Sequence, residues 1–368
     1  MNVLVTGSDG FIGKNLIERL ARLDNVDIIK FNRNNNISDL NSDIDNIDFI
    51  FHLAGVNRPK EKKEFYIGNG ELTEDLINLL IKSNRFIPIL LPSSTHANTT
   101  NDYGKSKLIS ENCIRSYSVD NNVPVFIYRL PGIFGKWCRP NYNSVIATWC
   151  YRIARGEPIE ITNKDQELEL VYIDDVVDSF VEKLDEKKAN FNCLVDNVYT
   201  ESLGQISSLL LDFRESRDTG LISKIGAGFT RVLYATYLSY LPTDKFSYNL
   251  QGHSDNRGDF YEVLRTVDSG QLSISTTKPG DAVRGNHYHN TKNEKFLVLK
   301  GSAEINLRCL NSDKVVSYSV SDKKMQVVEM IPGYTHNIKN TSKDDMVLLI
   351  WANENYNPDK PDTYFLDV

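Results

Sequence analysis

Cysteine is scarce in this 368-residue chain: Cys113, Cys138, Cys150, Cys193 and Cys309 are far apart, odd in number and form no C-x-x-C pair. That spacing argues against a disulfide framework and suits a reducing cytoplasm. No run of about 20 apolar residues occurs, so no membrane-spanning helix is expected. The opening Met1–Gly13 has neither a basic start nor a long apolar core, so it does not read as a signal peptide. Positive charge is in deficit, with 42 Lys and Arg against 49 Asp and Glu and a net charge of −7. A nucleic acid or an anionic membrane is therefore not an expected partner. Histidine is nearly as rare as cysteine, yet three of the six, His287, His289 and His336, fall in the last quarter. What is present is an ordinary soluble balance, 40% hydrophobic and 25% charged. At roughly 150 residues per domain the length predicts two domains.

The periodicity changes partway along. Up to about residue 215, short apolar runs (Met1–Thr6, Val26–Asn32, Asp48–Leu53, Phe86–Leu91, Val123–Leu130) alternate with amphipathic segments (Phe11–Leu20, Leu72–Lys82, Tyr103–Tyr117). Fully apolar strands separated by helices predict a parallel sheet covered on both faces, a doubly wound α/β domain. From Phe260 to Trp351 the runs are short, β-branched or aromatic, and divided by turns such as Pro279-Gly280, Lys300-Gly301 and Pro332-Gly333. That pattern predicts an all-β barrel or jelly roll. The expected division is residues 1–243 and 244–368.

Gly7-Ser8-Asp9-Gly10-Phe11-Ile12-Gly13 is a G-x-x-G-x-x-G turn between the first strand and the first helix. Such glycines let the backbone approach a pyrophosphate at a helix N-terminus. After the second strand the run is Phe31-Asn32-Arg33, with no acid for an adenosine 2′-hydroxyl. Arg33 suits a 2′-phosphate and favours NADPH; a solvated loop arginine is the competing reading. Tyr103 and Lys107 form Y-x-x-x-K, which shares one helix face, and a cation there is expected to lower the tyrosine pKa. Ser93-Ser94 precedes them. Together with His52-Leu53-Ala54-Gly55 and Tyr128-Arg129-Leu130-Pro131, these motifs resemble the extended short-chain dehydrogenase/reductase family over roughly residues 1–240. The resemblance implies that Gly7, Gly10, Phe11, Ile12, Gly13, Leu53, Ala54, Gly55 and Arg129 contact the dinucleotide. It also implies that Ser94 hydrogen-bonds a ketone, Tyr103 protonates it and Lys107 holds the nicotinamide ribose. Ser94 is only nine residues before Tyr103, closer than the family's usual spacing, so Ser93 and Thr95 stay in contention. His52 and Asn69 read as structural hydrogen-bonders.

In the second half, alternate strand residues His287 and His289 face one side, and Glu294 and His336 can join them from neighbouring strands. Three imidazoles and a carboxylate suit Zn, Fe, Mn or Ni; a metal-free pocket with a histidine base is the alternative. With Gly280, Gly301 and Asn340, this arrangement resembles the cupin family over residues 250–368. Asp255–Glu262 and Arg284–Tyr288 further resemble the 3,5-epimerases of deoxysugar nucleotides. There the residue matching His287 is the base and the one matching Lys295 steadies an enolate. The added ligands suggest that His287 binds metal, leaving Tyr334, Lys295 and His287 as candidate bases. Arg257 and Arg284 read as substrate cations, or as ion pairs that hold the fold.

Chemistry links the halves. A C-4 ketone acidifies the C-3 hydrogen, and reduction abolishes that acidity, so epimerisation must precede reduction. The reductase-then-cupin order resembles bifunctional enzymes of capsular polysaccharide synthesis. That resemblance implies UDP-2-acetamido-2,6-dideoxy-β-L-arabino-hex-4-ulose as the substrate, epimerised at C-3. Reduction at C-4 by NADPH would follow, giving the L-talose derivative on the way to UDP-N-acetyl-L-fucosamine. It also implies one zinc per chain and a homodimer formed through the cupin domain. Two alternatives remain: a reductase whose cupin is only a structural or dimerisation module, and a sensor that binds NADP(H) without turnover.

Overall fold

The computed structural model describes every residue except Asp281. The chain forms two compact units, Met1–Leu210 with Gly228–Pro242, and Leu211–Ala227 with Thr243–Val368. Among the described residues no helix is long and apolar enough to cross a membrane, and all five cysteines are free thiols.

In the first unit the order is β1 (Asn2–Thr6), α1 (Phe11–Leu20), β2 (Asp27–Phe31), β3 (Phe49–His52), α2 (Lys63–Phe65), α3 (Leu72–Lys82), β4 (Ile89–Ser94), α4 (Asp102–Asn121) and β5 (Val125–Leu130). After these come β6 (Gly132–Phe134), α5 (Val145–Ala154), β7 (Glu167–Tyr172), α6 (Ile173–Val181), β8 (Asn190–Cys193), β9 (Val198–Ser202), the start of α7 (Leu203–Thr219) and, later, α8 (Gly228–Leu238). Six strands pair in parallel in the order β2-β1-β3-β4-β5-β8, and β6-β7-β9 make a small second sheet. The apolar strands are buried on both sides because alternate residues serve different layers. Val3, Val5, Phe49, Phe51, Phe126 and Tyr128 pack with α1 and α6. Leu4, Ile50, Val125 and Ile127 pack with Leu76 and Leu80 of α3 and Ile114 and Tyr117 of α4. Between α2 and α3 the helix widens into a π-turn at Tyr66–Glu71.

The second unit holds β10 (Leu221–Ile222), β11 (Gly252–Asp255), β12 (Gly258–Thr266), β13 (Gln271–Thr277), β14 (Val283–Tyr288), β15 (Glu294–Lys300), β16 (Ser302–Cys309) and β17 (Val315–Ser321). The last four are β18 (Val327–Met330), β19 (Tyr334–Asn340), β20 (Met346–Ala352) and β21 (Tyr364–Phe365). One sheet runs β10-β12-β13-β20-β15-β18, with β11 on β12, and the other runs β17-β16-β19-β14-β21. Phe296, Val298, Ile305, Met330, Ile338 and Leu348, from both sheets, share one core. This is the cupin jelly roll. A strap of residues 361–366 binds it: β21 pairs with β14, Leu366 N donates to the Asn286 carbonyl at 3.0 Å, and Thr335 Oγ1 donates to the Leu366 carbonyl.

Candidate active sites

In the order β2-β1-β3 the connections diverge after β1, and ligands of α/β sheets bind in that crevice. Gly7, at φ +67°, turns the chain there; a Cβ on it would lie 2.8 Å from the Ala54 nitrogen. A Cβ on Gly13 would lie 2.3 Å from the Gly7 carbonyl oxygen. Helix α1 starts beside them with Gly10 as its cap, no side-chain capping bond and no acid in its first turn. Its free N–H groups can therefore meet an anion. Ser8 is buried with its hydroxyl unpartnered, and Phe11 and Ile12 pack against the core beneath. The cradle fits a dinucleotide pyrophosphate. Arg33 is exposed just beyond β2, in a turn where Asn32 N donates to Asn35 Oδ1 at 2.9 Å.

Leu53, Ala54 and Gly55 are fixed by a chain of polar contacts. Ala54 N donates to Thr6 Oγ1 at 3.1 Å, and that hydroxyl lies 2.9 Å from His52 Nδ1. His52 Nε2 lies 3.0 Å from Thr73 Oγ1. Burial, aided by the Lys107 charge, pushes the His52 pKa down to about 3, so it is a neutral structural residue. Asn69, in the π-turn, accepts from Val56 N at 2.9 Å and donates to the Val56 carbonyl at 3.0 Å.

Helix α4 brings Tyr103 and Lys107 to the end of β4. The short spacing from Ser94 is spanned by one 3-10 turn, Thr95–Asn98. Gly104 packs so closely on it that a Cβ would sit 2.3 Å from the His96 carbonyl oxygen. Ser94 Oγ accepts from His96 N at 3.2 Å and lies close enough to the Tyr103 phenol to lower its pKa. Ser93 is buried with its hydroxyl unpartnered, and Thr95 is exposed. Lys107 Nζ donates to the Pro92 carbonyl at 3.4 Å and lies 3.3 Å from where a Gly55 Cβ would be. Burial lowers the Lys107 pKa to about 8 while Glu111 pulls it upward. The expected drop at Tyr103 is not found. Burial raises its pKa, only Ser94 opposes that rise, and Lys107 is not among the causes.

Arg129, expected at the dinucleotide, is engaged elsewhere. Its fork grips Glu111 at 2.9 and 2.7 Å, and Nη1 donates to Asn98 Oδ1 at 2.7 Å. Glu111 is fully buried, one helical turn beyond Lys107. Its position in the series Tyr103, Lys107, Glu111 was the available signal, and the sequence reading passed over it.

In the second unit β14 carries His287, with His289 just past its end. His336 is the cross-strand partner of His287 on β19, and Glu294 opens β15. Ligand atoms of His287, His289 and Glu294 lie within 4.8 Å of one another. Glu294 Oε2 is 3.5 Å from His289 Nε2 and 3.7 Å from His336 Nε2. The His289 Nδ1 contacts the Asp362 carbonyl, which can only accept. Nδ1 must therefore carry a proton, and in the neutral ring Nε2, buried without a hydrogen bond, is left as an acceptor facing a carboxylate. Two buried acceptors face to face are the arrangement a divalent cation satisfies, and the Asp362 carbonyl is the outer partner that orients a ligating imidazole. Burial pushes His336 down to about 3 against the pull of Glu294, and lowers His287 likewise. His287 and His336 are thereby kept neutral, as ligation requires. Asp362 also caps the loop: its carboxylate accepts from Asn290 N, Thr291 N and Lys292 N at 2.8–3.2 Å.

Tyr334 lies two residues before His336 on β19, on the same face. Lys295 is not brought to the cluster. It follows Glu294 directly in a strand, so it points to the opposite face, where it pairs with Glu329 of β18. Arg257 is bound by Asp255 at 3.0 and 2.6 Å. Arg284 donates to Thr277 Oγ1 at 3.1 Å and to the Thr276 carbonyl at 2.8 Å. Both arginines hold loops in this structure.

Residues 3–193 match the family profile described as NAD dependent epimerase/dehydratase family, and residues 253–364 match Polysaccharide biosynthesis C-terminal domain. A Pseudomonas aeruginosa protein named UDP-2-acetamido-2,6-beta-L-arabino-hexul-4-ose reductase is 46% identical, over 100% of this chain and 99% of its own. The crystal structure of the capsular polysaccharide assembling protein CapF from Staphylococcus aureus superposes with a TM-score of 0.93 at 44% identity, covering 100% of both chains. UDP-glucuronic acid 4-epimerase from Bacillus cereus, solved with NAD, covers 65% of this chain and 98% of its own at 17% identity and a TM-score of 0.56, a likeness of fold alone.

Proposed function

The chain belongs to the NAD dependent epimerase/dehydratase family, and from that premise we propose that it is a bifunctional nucleotide-sugar enzyme. The cupin unit epimerises UDP-2-acetamido-2,6-dideoxy-β-L-arabino-hex-4-ulose at C-3. The reductase unit then reduces the C-4 ketone with NADPH, toward UDP-N-acetyl-L-fucosamine. The observation that carries the reading is Ser94 beside Tyr103, with Lys107 one turn away, next to a glycine cradle.

When bound, the reduced nicotinamide supplies a hydride. Gly7, Gly10 and Gly13 with the α1 N-terminus would hold the dinucleotide's pyrophosphate, Arg33 would meet the 2′-phosphate, and Lys107 would hold the ribose. Ser94 donates to the ketone oxygen, and Tyr103 gives that oxygen its proton. The high Tyr103 pKa suits this direction, because the phenol stays protonated until the alkoxide forms. In the cupin, His287, His289, Glu294 and His336 would hold a divalent metal, zinc in this reading, which supplies positive charge where the C-3 enolate's charge develops. With Lys295 on the far face, Tyr334 is the base best placed beside the cluster.

Association of two copies through the cupin is part of the proposal. Edge strand β17 supports it, presenting Val315, Val316 and Tyr318 at 44, 37 and 40% exposure. Five free thiols accord with a cytoplasmic setting.

The test is incubation with the UDP-4-keto sugar in D₂O, with and without NADPH, following C-3 deuteration and absorbance at 340 nm. Deuteration without NADPH and NADPH oxidation are both expected. Oxidation without deuteration would make the cupin a structural module, and neither signal would leave a dinucleotide-binding sensor. Tyr103→Phe should stop NADPH oxidation and leave exchange intact; loss of both would undo the division of labour.

A further inference from the structure

Two guanidinium groups of the first unit converge on one aromatic ring. Arg139 Cζ lies 5.0 Å and Arg58 Cζ 6.0 Å from the Tyr142 centroid. The Tyr142 hydroxyl donates to the Arg58 carbonyl at 3.5 Å, tying two loops together. Arg58 lies beyond β3, shortly after the Gly55 turn that borders Lys107. Arg139 and Tyr142 lie between β6 and α5. Both loops leave the carboxyl ends of strands paired in parallel, the edge where sheets of this kind bind ligands.

Nearby cations are matched: Lys136 pairs with Asp174 and Arg129 with Glu111. Among the described residues neither Arg58 nor Arg139 has a carboxylate partner. Two like charges on one ring repel, and the negative face of the ring offsets only part of that. The Arg139 loop is also held in place. Asn15 Nδ2 donates to the Lys136 carbonyl at 3.2 Å, the Tyr240 hydroxyl to the Cys138 carbonyl at 2.5 Å, and Asn141 N to Thr148 Oγ1 at 2.9 Å. Trp137 and Asn141, on either side of Arg139, have left-handed backbones at φ +68° and +53°. That conformation is costly for tryptophan and typical of loops that clamp a ligand. Arg58 and Arg139 are exposed on these loops, and two cations without a counter-ion on fixed loops make a site for an anion with more than one charged group. Planar forks bind phosphoryl oxygens in pairs, so two of them near one ring suit a diphosphate.

We propose that Arg58 and Arg139 clamp the diphosphate of the nucleotide sugar, with Tyr142 tying their two loops together. The inference rests on the reading of this unit as a nucleotide-sugar reductase. The dinucleotide's own pyrophosphate already has the α1 cradle.

The test uses the full chain as wild type, Arg58→Ala, Arg139→Ala and Arg58→Lys, measuring NADPH oxidation with nucleotide sugar varied and UDP, UMP or uridine as inhibitor. Each alanine variant should raise the KM for nucleotide sugar about tenfold or more, with kcat and the KM for NADPH within about threefold. Inhibition by UDP should weaken in parallel, UMP less, and uridine not at all. Arg58→Lys should fall between, keeping the charge and losing the fork. A rise in the KM for NADPH alone would assign the forks to the dinucleotide and overturn the inference, as would a fall in kcat alone. Calorimetric titration with UDP needs no turnover, so it separates the two failures. If wild type binds UDP but reduces no nucleotide sugar, the reductase reading fails. Unaltered UDP binding in both alanine variants removes the clamp.

Discussion

Replacing Arg129 by methionine strips the fork from Glu111, a carboxylate with no exposure to solvent. Breaking a buried pair from one side costs about 3–5 kcal/mol. Here Arg129 is 29% exposed, and Arg115, 35% exposed, remains 3.6 Å from Glu111. These partial remedies bring the expected cost to about 2–3 kcal/mol, or a Tm lower by about 5–10 °C for a unit of this size. The pH dependence is the sharper readout. In the native protein burial pushes the Glu111 carboxyl up, but the bonds from Arg129, the nearby Ser93 and the charges of Arg129 and Arg115 outweigh it. Its pKa ends below the ordinary 4.5, so its contribution is present above that pH and lost as pH falls through the folded value. Without Arg129, burial dominates and raises the pKa. The contribution is then present below 4.5 and lost as pH rises through the raised value. The stability gap between wild type and variant should therefore widen from pH 4 to 7. Urea titrations followed by tryptophan emission measure it, and adding Glu111→Gln should restore part of the loss. A gap under about 0.5 kcal/mol, one that does not widen with pH, or a double variant weaker than the single one would refute the reasoning.

Gly13→Ala forces a Cβ to within 2.3 Å of the Gly7 carbonyl, so NADPH affinity should fall about tenfold or more by fluorescence titration, with C-3 exchange unchanged; undiminished affinity would mean the loop does not hold the pyrophosphate. Lys295→Ala removes only an exposed pair with Glu329, and deuterium exchange should stay within about threefold of wild type; abolished exchange would return Lys295 to the catalytic set. Asp362→Ala uncaps the amides of residues 290–292, and metal retention against a chelator, read by elemental analysis, should drop about 10-fold or more; full retention would show that the strap does not support the ligands.

The α/β half was legible because its signals are local. Phe11–Leu20 and Leu72–Lys82 have the helical bounds expected of them, and the glycine turn and Y-x-x-x-K stand where the periodicity put them. The strand expected from Phe86 starts only at Ile89, since Phe86 is 45% exposed. What escaped was long-range. Arg129 looked like a ligand contact because nothing local says that Glu111, eighteen residues earlier, reaches it. Period-two alternation places Lys295 opposite Glu294, and there it pairs with Glu329. The return of Leu211–Ala227 to the second unit, before Gly228–Pro242 rejoins the first, leaves no mark in composition. The histidines were readable as a set, while Asp362, which fixes the tautomer of His289, lies 73 residues away.

That separation sets a timetable for synthesis. At about 5–20 residues per second, the ribosome makes His289 some seconds before Asp362, an interval of about 4–15 s for the 73 residues between them. His287, Glu294 and His336 are all polymerised in the meantime, but the imidazole that Asp362 orients has no outer partner. The loop of residues 290–292 likewise lacks the carboxylate that gathers its amides. The histidine cluster proposed to hold the metal is therefore completed late, by a segment outside the cluster itself, long after the strands and helices of the first unit have been made.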